Sequence, residues 1–116
     1  MTAIQAAATM GQDDDMAREV IPRDHLASGE WPTGKIAVGA PPVVHLCQAV
    51  AQALTDAMAK RGLGVRELAR LAGLTHPTVI GVLKGTSLPG AQSVLLLEIA
   101  LQEPLYPADL FRRLGG

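Results

Sequence analysis

The chain has 116 residues, of which 48% are hydrophobic and 3% aromatic, and its formal net charge is −1. That size holds one domain with a tail, and the composition supports a small aliphatic core. The charge excludes the strongly basic class of nucleic-acid binders. The single cysteine, Cys47, excludes an internal disulfide.

Charge is unevenly placed. Residues 1–41 carry three basic and six acidic side chains, whereas residues 42–116 carry seven and five. The expected organisation is therefore an N-terminal extension over 1–41, flexible or partly ordered, and a mildly basic helical domain over 42–116. The first residues turn acidic at Asp13, Asp14 and Asp15 and lack a basic leader, so no secretory signal is expected. No run approaches the roughly 18 apolar residues of a membrane span, and the expected location is the cytoplasm.

Within the extension, residues 16–21 can form a helical turn. Pro22, Pro32, Pro41 and Pro42 interrupt the rest of it. Lys35, Ile36, Ala37 and Val38 suit a short strand, and Trp31 is expected to pin the tail to the domain.

From residue 43 to 61 the pattern is helical. Leu46, Val50, Leu54, Ala57 and Met58 form a core stripe, and Gln48, Gln52, Asp56 and Lys60 lie on other faces. Pro41 and Pro42 suit the entry, while Lys60, Arg61 and Gly62 suit the end. Cys47 is expected as a small buried hydrophobe.

Residues 65–72 form a second, amphipathic helix with Leu68, Ala69 and Ala72 inward. Gly73 can adopt the left-handed conformation that stops a helix, and Thr75 is a good N-cap for the next. Val79, Val82 and Leu83 give that third helix an apolar stripe, opposite His76, Thr78, Ile80, Gly81 and Lys84. Two short helices joined by a glycine turn are the layout of a helix-turn-helix, whose second helix enters the major groove of DNA. Gly85 closes this unit, and residues 86–90 read as a loop.

A fourth helix is expected over residues 91–101. Val94, Leu97 and Leu101 define its core face, but Leu95, Leu96 and Ile99 make it apolar nearly all round. That excess calls for a second burial surface, either a dimer contact or packing of the tail. Gln102, Glu103 and Pro104 break the pattern, and residues 107–114 can form a short fifth helix with Leu110, Phe111 and Leu114 apolar.

Residues 43–114 resemble the five-helix domain of the Cro and lambda-repressor-like superfamily, the xenobiotic-response-element (XRE) family, and are similar to small actinobacterial regulators of that type. The residues that carry the resemblance are Arg61, Gly62, Glu67-Leu68-Ala69, Ala72-Gly73-Leu74-Thr75, Thr78-Val79, Gly85, Pro89, Leu97-Glu98, Ala100-Leu101 and Leu105-Tyr106-Pro107. The resemblance implies an all-α, five-helix DNA-binding domain behind a largely irregular N-terminal extension. It implies a transcription regulator, sequence-specific or shape-reading, with its recognition helix over residues 75–84. Thr75, His76, Pro77, Thr78 and Gly81 would lie nearest the base edges, and Arg66 and Lys84 nearest the phosphates.

The chain departs from relatives at Gly64 and Val65, where many carry Gln or Ser. Its recognition face has no Arg, Asn or Gln between Thr75 and Leu83. Modest discrimination, or reading through thymine methyls and DNA shape, is therefore expected. The expected partners are double-stranded DNA and a second copy of the chain. The alternative is a protein-interaction adaptor or antitoxin of the same fold, acting through the N-terminal extension or the fourth helix.

No enzyme activity or cofactor is expected. His25, His45 and His76 lie far apart, one cysteine makes no zinc-type ligand cluster, and no nucleophilic triad or phosphate-binding loop is apparent.

Overall fold

In the computed structural model, which describes residues 20–115, Pro42 opens a 20-residue helix, α1 (Pro42–Arg61), with no side-chain cap. Proline serves there because the first helical N–H has no partner to lose. α1 buries Val44, Cys47, Val50, Ala51, Leu54, Ala57 and Met58, so its inward stripe is wider than the five residues the periodicity marks. Leu46 is only half-buried. The helix stops at Gly62, where the Leu63 N–H donates back to the Met58 carbonyl.

Four further helices succeed it among the described residues: α2 (Val65–Ala72), α3 (His76–Lys84), α4 (Ala91–Leu101) and α5 (Leu110–Gly115). The molecule is thus mostly helical. The three-residue connection between α2 and α3 is closed by hydrogen bonds from Gly73 N to Arg70 O and from Leu74 N to Ala69 O. These satisfy two carbonyls that the end of α2 would otherwise leave without a donor. Leu68, Ala69 and Ala72 of α2, Val79 and Val82 of α3, and Val94, Leu97 and Leu101 of α4 meet α1 in one core. Leu83 is partly buried against that core rather than enclosed within it.

Residues 22–40 contain more regular structure than an irregular extension would. A 3-10 turn (Pro22–His25) leads into an antiparallel pair, β1 (Leu26–Ser28) and β2 (Lys35–Ile36). The strand expected around residues 35–38 is therefore present but limited to two residues. This hairpin lies on the polar face of α1. Gln48 Nε2 donates to the Gly34 carbonyl and Gln52 Nε2 to the Pro32 carbonyl, each at 2.7 Å. Pro22 is buried, and the Arg23 N–H donates to the Gly85 carbonyl at 2.9 Å. Trp31 lies against Gly85, as an anchoring tryptophan should. Most of the turn expected over 16–21, and the acidic run at 13–15, lie outside the described residues.

The C-terminal part is organised by one carboxylate. Glu98 Oε2 accepts from the backbone N–H groups of Leu105 (2.8 Å) and Tyr106 (3.0 Å). Those two bonds favour the charged form and hold the Glu98 carboxyl below its usual range. They also explain in physical terms why a glutamate in α4 and the Leu105-Tyr106-Pro107 segment occur together: the first fixes the path of the second. Glu103 takes ion pairs from Lys60 and Arg61, which ties the loop after α4 to the end of α1.

Candidate nucleic-acid interface

The face expected to read DNA runs along α3 and begins at its cap. Thr75 has an extended backbone, and its Oγ1 accepts from the Thr78 N–H at 3.2 Å. The hydroxyls of Thr75 and Thr78 also share a hydrogen bond at 2.8 Å. Both side chains thus build the start of the helix, and each hydroxyl keeps part of its hydrogen-bonding capacity. Pro77 comes next in the first turn, where its missing N–H costs nothing.

Thr75, Pro77 and Lys84 are exposed, and His76, Thr78 and Ile80 are half-buried. Arg66, near the start of α2, is exposed as well. Gly81 is different. It is buried, and a Cβ there would run into Ser87 Oγ from the loop after α3. Its small size admits the next loop, and Ser87 lies over this position of the face expected near the base edges.

The electrostatics of this region depend on which cations have partners. Arg70 lies 4.0 Å from Glu67, and Lys60 and Arg61 are taken up by Glu103. Arg66 and Lys84 have no carboxylate within ion-pair distance among the described residues, and neither does Arg23. Lys84 sits in the last turn of α3, where it meets the negative end of the helix dipole. Thr75, Pro77, Thr78 and Ile80 supply small apolar and hydroxyl groups of the kind that touch a thymine methyl or accept one hydrogen bond. No side chain along α3 offers the two-pronged recognition an arginine or glutamine would.

Sequence reasoning missed Arg23. It belongs to the segment read as an extension, and its backbone bond to Gly85 brings it to the end of α3. A proline-bounded run with one arginine carries no local signal of that position.

A second feature lies along α1 and α4. Leu95, Ile99, Tyr106 and Phe111 are each more than half exposed, at 54%, 55%, 58% and 66%. Two apolar grooves of about 310 and 330 Å³ adjoin there and share Leu46 and Tyr106. The described part of the N-terminal segment does not cover Leu95 or Ile99.

Among the described residues, no group of three or more His, Cys, Asp or Glu side chains is placed to hold a metal ion. No described helix is long and apolar enough to cross a membrane. Comparison with protein-family models, curated proteins and solved structures finds no match to this chain.

Proposed function

We propose that this protein binds double-stranded DNA through α3 and acts as a cytoplasmic transcription regulator of the lambda-repressor-like, XRE type. The observation that carries the reading is the partly exposed outer face of α3. Thr75, Pro77 and Lys84 stand exposed on it while Val79 and Val82 hold the opposite face in the core. In this reading α2 and α3 are the helix-turn-helix. Thr75, His76, Pro77 and Thr78 approach base edges, and Arg66 and Lys84 meet phosphates, which fix register without reading sequence.

With no bidentate side chain on α3, discrimination between sequences comes from thymine methyl contacts and DNA shape, and it is modest. The exposed apolar residues of α4 and α5 offer a surface for a second copy, which would place two α3 helices on a palindromic site.

The test is titration of labelled random-pool duplex at several salt concentrations. Phosphate binding gives a falling log–log line, and Lys84→Ala makes it shallower by about 0.9 for every duplex alike. A wild-type slope near zero refutes the proposal. A second reading, an adaptor or antitoxin that acts through a protein partner, draws on the exposed Leu95, Ile99, Tyr106 and Phe111. It predicts a co-purifying partner together with a flat salt response.

A further inference from the structure

We infer that the N-terminal 3-10 turn forms part of the DNA-contacting surface, with Arg23 acting as a phosphate contact beside Lys84. This rests on the proposed DNA-binding reading and adds to it a residue from outside the helical domain.

The placement is made by three independent sets of contacts. The Arg23 N–H bonds the Gly85 carbonyl at 2.9 Å, which sets the backbone of Arg23 directly against the residue after Lys84. Trp31 fills the space over Gly85 that a side chain would take. Gln48 and Gln52 hold the hairpin carbonyls of Gly34 and Pro32 on α1. The turn is therefore fixed to both α1 and the end of α3, and Arg23 does not depend on a free arm to reach this position.

Both Arg23 and Lys84 are exposed, and neither has a carboxylate within ion-pair distance among the described residues. Two cations whose backbones meet at one end of a groove-reading helix suit neighbouring phosphates. Guanidinium and ammonium groups both bind phosphate, and the planar guanidinium can do so with two parallel hydrogen bonds. Asp24, the next residue, is exposed and opposes part of this charge. The interface is thus of modest strength and sensitive to single charge changes.

The experiment measures duplex affinity against salt for the wild-type chain, Arg23→Ala, Asp24→Asn and Lys60→Ala. Lys60 is the control, because it is an exposed cation whose ion pair with Glu103 ties it to the loop after α4 and not to α3. Circular dichroism and a urea titration establish that each variant is folded. Arg23→Ala should lower the log–log slope by about 0.9 and weaken binding up to about eightfold at 0.1 M salt. Asp24→Asn should strengthen binding, and Lys60→Ala should match wild type. If wild type binds with a clear salt slope and Arg23→Ala leaves both slope and affinity unchanged, this inference is overturned and the α3 reading stands. If wild type shows no salt-dependent binding to any duplex, both fall together.

Discussion

Replacing Gly85 by alanine probes the junction between the N-terminal hairpin and the end of α3. Gly85 has φ +68°, a left-handed backbone that costs an L-residue about 1–2 kcal/mol. A Cβ there would run into Trp31 Cε2 and lie 2.6 Å from Trp31 Cδ2 and 2.7 Å from Trp31 Nε1, whereas ordinary contact begins at 3.4 Å. The indole must then retreat by about 1 Å, an overpacking that costs about 1–3 kcal/mol. The expected total is about 2–5 kcal/mol, a large part of the roughly 5–15 kcal/mol that holds a domain folded.

Gly62 provides the reference. It has φ +66° and nothing within 4 Å of a Cβ, so Gly62→Ala should cost only the backbone part, about 1–2 kcal/mol. In a Trp31→Ala background the steric part disappears, and Gly85→Ala should fall to the Gly62 level. The assay is urea unfolding of wild type, Gly85→Ala, Trp31→Ala and the double variant, with Gly62→Ala alongside. Far-UV circular dichroism is the probe, because two of these chains lack the tryptophan. The coupling energy should be about 1–3 kcal/mol. A cost at Gly85 no larger than at Gly62, or one unchanged by removing Trp31, refutes the packing argument.

Other consequences are simpler to check. Leu68 is fully buried, so Leu68→Ala should cost about 2–5 kcal/mol in urea unfolding, while Leu71→Ala on the same helix, 48% exposed, should cost under about 1 kcal/mol. The depressed Glu98 carboxyl contributes stability that is complete above the ordinary carboxyl range and is lost as pH falls through its folded value. An acid titration of wild type should therefore decline below about pH 4.5, and Glu98→Gln should decline less steeply over the same window. Burial pushes the Cys47 thiol up to about 11. At pH 8 a thiol reagent should label the folded chain far more slowly than the urea-unfolded chain, and equal rates would contradict the buried placement. His76→Ala and Thr78→Ala should alter which duplexes are selected from a random pool, with little change in salt slope.

Much of the helical framework is legible in the sequence because it is written in local physics. The inward faces of α2 and α4 come from apolar spacing, and the bounds of both helices agree with those read from the sequence. The ends of α1, α2 and α3 fall at Gly62, Gly73 and Gly85, residues whose backbone preference needs no tertiary contact. Thr75 caps α3 through a bond to the backbone three residues on, which is equally local.

The differences between expectation and structure share a cause. By spacing alone Gly81 is a vacant position on the outer face of α3, but Ser87, six residues later, fills its place. Residues 22–36 lack any period because prolines and glycines interrupt it, yet they are held by bonds to Gln48, Gln52 and Gly85 far along the chain.

Periodicity, caps and glycine stops determine the first four helices and most of the residues each turns inward, since those signals act within one or two turns of backbone; the last helix begins at Leu110, later than its apolar spacing suggests, and leaves Phe111 and Leu114 exposed. Where the hairpin rests, which loop shields Gly81, and how the Arg23 backbone reaches the end of α3 are decided by packing between distant segments. A sequence cannot display those contacts, because the groups that make them become neighbours only after the core has closed.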